Sequence, residues 1–152
     1  MANQPASEPL TEMKLTDDIK NAINSAYTSG KPILVAYVDQ DGQPSLSYRG
    51  SLHAHSDNQL AIWVRNPDGG LLKALGNNNR ITAMYRDPET RASIQFRGKA
   101  TVDNSEEMRE KVYNAIPEAE QNADKEKKGS PLIVDLDRVD GFMPGVRIAM
   151  RR

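Results

Sequence analysis

Three groups of residues in this 152-residue chain have the types and spacing for ligand chemistry. The first is Asp68-Gly69-Gly70-Leu71-Leu72-Lys73. Asp68 reads as the cap of a short helix, Leu71–Leu75. Two glycines leave its first N–H groups bare, so free amides and the positive helix end can hold a phosphate. Lys73 lies one turn in, and Arg65 ends the preceding strand. The same run also reads as a flexible turn, and it is no Walker loop, since the second glycine of GxxxxGK[ST] is missing. The second group is Ser47, Arg49, Ser51 and His53, alternate residues on one strand face. An Arg between two serines suits an anionic or polar ring ligand, and a hydrated outer face is the plain alternative. His53 and His55 have the spacing of a metal pair, but no third ligand is recognisable near them. The third group is Trp63, the one Trp of the chain, beside Arg65. It is either packing or the wall of a ring pocket. Ser93, Gln95 and Arg97 form a further polar face, either wet or set against another subunit. No Ser/His/Asp order or carboxylate spacing points to a hydrolase, and no strong catalytic base stands out.

Charge narrows the class of ligand. The net charge is −1, which argues against nucleic acid as a partner. Between Ser47 and Ala100, however, six Arg and two Lys face four acidic residues, an excess of +4 against −5 elsewhere. A local positive excess in a near-neutral protein suits a small anion better than a long polyanion. With 38% apolar and 27% charged residues and a mean hydropathy of −0.67, the chain reads as one polar globular domain. Its longest apolar run, Ile33–Val38, falls far short of the roughly 20 residues of a membrane span. The absence of a signal-like N-terminus and of cysteine fits a cytoplasmic protein without disulfides or thiolate chemistry.

The elements that must position these residues follow from periodicity. Residues 1–14 read as a loose tail, and residues 15–152 as a single domain. Thr16-Asp17-Asp18 starts a helix with an Ile19, Ala22, Ile23, Ala26 stripe, stopped by Gly30 and Pro32. The period then changes to two. Ile33–Asp39 is a strand, with an Asp41-Gly42 hairpin turn. The next strand is expected to turn Leu46, Tyr48, Gly50 and Leu52 inward, and Ser45, Ser47, Arg49, Ser51 and His53 outward. Leu60–Arg65 sets Leu60, Ile62 and Val64 against Ala61, Trp63 and Arg65. Arg80–Arg86 and the strictly alternating Arg91–Val102 follow. Residues 104–128 form a helical insertion capped at Ser105 and split by Pro117. Leu132–Asp137 is a last strand, continuing irregularly through Val139, Phe142 and Val146. About six hairpin-linked strands predict a mainly β or α+β chain forming a small antiparallel split barrel with flanking helices. The regular strand–helix alternation of a Rossmann domain is missing.

The order of these elements resembles the FMN-binding split barrel of the pyridoxamine 5′-phosphate oxidase-like family, from about Lys31 to Val102. Three pieces carry the resemblance: Arg49-Gly50-Ser51 on a strand, Ile62-Trp63-Val64-Arg65 running into a short helix, and NNNRITAMY followed by IQFRGKA. Members of that family are typically homodimers holding FMN in two grooves at the subunit interface. The resemblance implies that Arg49, Gly50 and Ser51 lie along the isoalloxazine and phosphate side. Trp63, Val64 and Arg65 would line the ring, and Gly70, Leu71, Leu72 and Lys73 would reach the phosphate. Ser93, Gln95 and Arg97 would come from the other subunit. It also implies a flavin-dependent oxidoreductase of unknown substrate. The alternatives are a deazaflavin-dependent reductase on the same fold, a non-catalytic flavin carrier or sensor, and a dimer without cofactor. The basic pair that opens the short helix in the oxidase is replaced by Gly70 and Leu71, and the oxidase's C-terminal substrate segment is not recognisable.

Overall fold

The structure, a computed structural model, describes residues 10–152. Four helices and nine strands follow the order β1 (Thr11–Glu12), α1 (Asp17–Ser25), β2 (Leu34–Val38), β3 (Pro44–Tyr48), β4 (His53–Ser56), β5 (Gln59–Val64) and α2 (Gly70–Ala74). They continue with β6 (Arg80–Arg86), β7 (Ser93–Val102), α3 (Glu106–Ala115), α4 (Glu118–Asn122), β8 (Ser130–Met143) and β9 (Val146–Arg151). Among these residues no helix is long and apolar enough to cross a membrane. The expected loose tail falls largely on residues outside those described. Its end is docked, because β1 pairs in parallel with β9 and Met13 is buried.

β8 organises the sheet. One of its edges pairs with β7 from Leu132 to Phe142. Its other edge pairs first with β5, over Ser130–Asp135, and then with β9, over Arg138–Met143. A bulge between these halves puts two residues, Asp137 and Arg138, where regular alternation would put one between Leu136 and Val139, and both side chains still face the core. That bulge is the irregularity seen in the sequence. The sheet therefore has nine strands where about six were expected, since β1 and β9 are added and one expected strand is divided into β3 and β4. From β4 the pairing runs through β5, β8, β7, β6 and β2 to β3, leaving the ring open between β3 and β4. This is a split barrel.

Local chemistry explains most elements. Thr16 caps α1 by accepting from the Ile19 N–H, and Ile19, Ile23 and Ala26 enter the core. Gly30 ends the segment at φ +71°, and Asp39 holds the β2–β3 turn by accepting from the N–H groups of Asp41 and Gln43. The inward residues of β2, β5, β6, β7, β8 and β9 fill one apolar core. Ala61, Trp63, Val112, Tyr113, Ile116 and Ile133 make a second, where α3 covers the opposite face of β5 and β8. The Ala61–Trp63 face of β5, expected to be the less apolar one, is thus as buried as the other.

β3 corrects the alternation in another way. The expected single strand from Ser45 to His53 is two strands joined by a corner, Arg49–Leu52. Ser47 pairs with Val35, whose side chain is in the core, so the serine face of β3 looks inward. Leu46 and Tyr48 point outward and are 67% and 64% exposed. The reason is position: β3 borders the opening of the ring, where its inner face meets a polar gap instead of packed apolar side chains.

Candidate functional site

The Arg49–Leu52 corner connects β3 to β4 across the opening without strand pairing. The Arg49 N–H donates to the Ile33 carbonyl, and the Ser51 hydroxyl replaces the missing ladder bonds to β5. Ser51 Oγ accepts from the Trp63 N–H and donates to the Trp63 carbonyl, each at 3.0 Å. Ser51 is buried and its proton is committed to the backbone, so it fixes the corner. Gly50 is required by close approach: a Cβ here would stand 2.7 Å from the Tyr27 ring and collide with the Glu120 carboxylate.

Beside this corner lies a cleft of about 260 Å³ lined by Tyr48, Arg49, Gly50, Ser51, Trp63, Arg65, Asn66 and Glu120. The structure thus brings together five of the residues singled out in the sequence. Arg49 is half-buried, and its Nε is sealed from solvent without a partner among the described residues, as is Ser47 Oγ. Burial pushes the Arg49 guanidinium down from its ordinary value; Tyr37 and Glu120 oppose this and the Arg65 charge adds to it. Arg65 is exposed, and its Nε stands 3.9 Å from Glu120 Oε2. Two cations and one carboxylate leave this cleft a net formal charge of +1.

The other expected positions divide. Trp63 is 2% exposed; its indole N–H donates to Asp124 Oδ2 at 2.8 Å, its ring meets Tyr113 edge-on, and Arg109 lies over it. Burial works against the Asp124 carboxylate. Hydrogen bonds from Lys128, Trp63 and Gly129 outweigh it and hold this carboxyl below its ordinary range. Trp63 therefore packs as the floor of the cleft, and Val64 faces the core. At α2 the cap is Gly69, not Asp68, and no side chain satisfies the first amides. Asp68 instead donates its own N–H to Asn66. Leu71 is buried, Leu72 packs on the core, and Lys73 is exposed. The α2 start neighbours the cleft through Tyr37: its phenol oxygen would be 3.1 Å from a Cβ at Gly70, and it lies close enough to Arg49 to favour its charge.

Ser93, Gln95 and Arg97 lie on the outer face of β7, where Arg97 donates to Gln95 at 2.9 Å. None of the three lines the cleft of a single chain. Strand register puts them on the same face as Met84 and Thr82 of β6, Leu34 and Ala36 of β2, and Leu46 and Tyr48 of β3. Tyr37 and Glu120 were missed in the sequence. Tyr37 reads there as one more apolar-run residue, and Glu120 as part of a charged helix.

With this geometry, the comparisons with known proteins concern the fold. No family model matches the chain, and no curated protein matches it by sequence. Solved structures do match. HupZ of Group A Streptococcus aligns at a TM-score of 0.64 with 20% identity, covering 88% of this chain and 98% of its own. A protein related to general stress protein 26, of the pyridoxinephosphate oxidase family, from Clostridium acetobutylicum aligns at 0.64 with 12% identity, covering 84% and 90%. An FMN-binding protein from Syntrophomonas wolfei aligns at 0.62 with 9% identity, covering 82% and 86%.

This chain has the pyridoxamine 5′-phosphate oxidase-like split-barrel fold. The expected fold class is therefore correct, and the expected order of elements holds from β2 through β8 apart from the division of one strand into β3 and β4.

Proposed function

We propose that this chain is an FMN-binding homodimer of the pyridoxamine 5′-phosphate oxidase-like family and acts as a flavin-dependent oxidoreductase. The observation that carries this reading is Arg49. A guanidinium driven down by burial, whose Nε has no partner among the described residues, in a cleft where Glu120 faces both Arg49 and Arg65, is a cation prepared for a further anion. The donor set fits a flavin phosphate: two guanidinium groups, with the bare amides of α2 reached past Tyr37. The name of the Syntrophomonas wolfei neighbour supports the same ligand.

Two features support a second subunit. A cleft of about 260 Å³ lies just below the roughly 300–1,000 Å³ of pockets that enclose a whole ligand, so it suits one end of the molecule. The outer face runs from exposed Leu46 and Tyr48 on β3, across Leu34, Ala36 and Met84, to Ser93, Gln95 and Arg97 on β7, the mixed apolar and polar make-up of subunit interfaces. In this reading Arg49 and Arg65 bind and orient, Ser51 and Gly50 hold the corner that carries Arg49, and Trp63 keeps the floor rigid. Redox chemistry is supplied by the flavin when bound.

The test is the visible absorption spectrum of the purified protein, repeated after adding FMN and removing the excess. A retained flavin spectrum near one FMN per chain, lost in Arg49→Ala, is the expected result. A colourless protein that refuses FMN overturns the reading, and a deazaflavin coenzyme becomes the next ligand to try. Turnover with NADH or NADPH against simple oxidants separates an enzyme from a carrier.

A further inference from the structure

Two buried side-chain polar atoms among the described residues are sealed from solvent and have no hydrogen-bond partner: Oγ of Ser47 and Nε of Arg49. They belong to neighbouring positions on one face. Ser47 pairs with Val35, and the Arg49 N–H donates to the Ile33 carbonyl at 3.0 Å, which carries the pairing with β2 one residue past the end of β3. Val35 and Ile33 are both core residues, so Ser47 and Arg49 stand next to each other on the inward face of this edge, about 6–7 Å apart along the strand. A sealed donor without an acceptor is destabilising, and here two lie side by side. Glu120 faces the guanidinium from the cleft and still leaves its Nε unbonded. One acceptor group that reaches both atoms would satisfy the pair.

We propose that Ser47 is a further binding residue of the cleft, whose hydroxyl and the Arg49 Nε–H together donate hydrogen bonds to the ligand's phosphate. The proposal rests on the flavin reading and adds to it the residue that recognises the phosphate without adding charge. A phosphate monoester has three terminal oxygens. The Nε edge of a guanidinium offers two parallel N–H donors, and a hydroxyl supplies a third. Arg49 lines the cleft and Ser47, two residues earlier, does not, so the hydroxyl is reached only when the end of β3 yields. That strand is free to yield: it pairs along one edge alone, with β2, and its outward Leu46 and Tyr48 are exposed. Binding then couples two events, the shift of β3 and the satisfaction of both sealed donors. A flavin without a phosphate has no acceptor for the pair and leaves the strand end closed.

FMN and riboflavin are matched probes, alike in ring and ribityl chain and differing in the phosphate. With the full-length protein, Ser47→Ala should weaken FMN at least tenfold and leave riboflavin unchanged. The ligand-free variant should melt no lower than wild type, because the hydroxyl it loses has no partner. The Arg49 Nε–H resonance should move downfield with FMN and stay in place with riboflavin. Unchanged FMN affinity in Ser47→Ala, an equal loss of both flavins, or a variant that melts well below wild type overturns the proposal. So does a persistent water contact at the Arg49 Nε–H of the free protein, which would show the pair already satisfied. Wild-type protein that refuses FMN overturns the flavin reading and this proposal with it, whereas wild-type binding with an indifferent Ser47→Ala overturns this proposal alone.

Discussion

Nε of Arg65 stands 3.9 Å from Oε2 of Glu120, so a carboxylate already faces one of the two guanidinium groups of the cleft. An incoming phosphate must share or displace that contact. Exposed pairs of this kind contribute about 0.2–1 kcal/mol. Glu120→Gln should therefore bind FMN tighter by up to about fivefold, read from quenching of flavin fluorescence. Unchanged affinity would mean the anion lies elsewhere.

Arg49 has the opposite signature. Its burial works against its charge and its Nε makes no hydrogen bond among the described residues, so the folded chain gains little from it. Arg49→Met should keep or raise the melting temperature while weakening FMN binding at least tenfold. A variant that melts much earlier would show that Arg49 is structural.

Ser51 should behave in reverse. Ser51→Ala removes both bonds to the Trp63 backbone and leaves buried groups unpaired. The expected loss is about 1–3 kcal/mol, measured by denaturant unfolding followed through Trp63 fluorescence. A loss near zero would mean the corner is held by other contacts.

His53 sets a pH dependence. Its folded pKa lies below the ordinary 6.5, so the unfolded chain takes up the proton first as pH falls. Its contribution to stability is present above pH 6.5, declines below it, and levels off once the folded imidazole also titrates. Unfolding free energies of wild type and His53→Gln should converge as pH falls through that window. Parallel curves would contradict the burial of this imidazole.

The outward face of β3 supplies a test of assembly. Leu46→Glu should turn a dimer into a monomer by size-exclusion light scattering, with the fold retained, because Leu46 is 67% exposed in one chain. A wild-type monomer, or a variant that stays dimeric, would exclude this face as the interface.

Elements with local signals were legible in the sequence. Thr16 and Ser105 caps, the Asp39–Gln43 turn and the alternation of β7 all come from residues a few positions apart. What depended on distant partners was not. The inward face of β3 could not be read from Leu46 and Tyr48, because at a strand bordering an opening the apolar side need not be the core side. Trp63 beside Arg65 read as packing or as the wall of a ring pocket, and the helix more than forty residues later that covers its other side could not be seen from neighbouring residues. Asp68 was the stronger cap by type, yet its N–H is engaged by Asn66 and Gly69 takes the position. Arg49 was found from its type and spacing. Glu120, its counterweight, joins it only through packing.

The shared edge of β8 also constrains how the chain is made. β5 finds its main partner in a segment whose register begins at Gln59 with Asp135, a pairing across 76 residues. β7 waits for the same strand. On the ribosome, strands β2 to β7 can form hairpins, but neither seam of the barrel can close until residues 130–143 have emerged. Until then, two sets of unpaired strand edges and the apolar face of β5 are open to other chains. High contact order and late closure predict slow folding and a need for dilution or chaperone protection during synthesis. Once closed, β8 should be among the last strands to exchange its amide hydrogens.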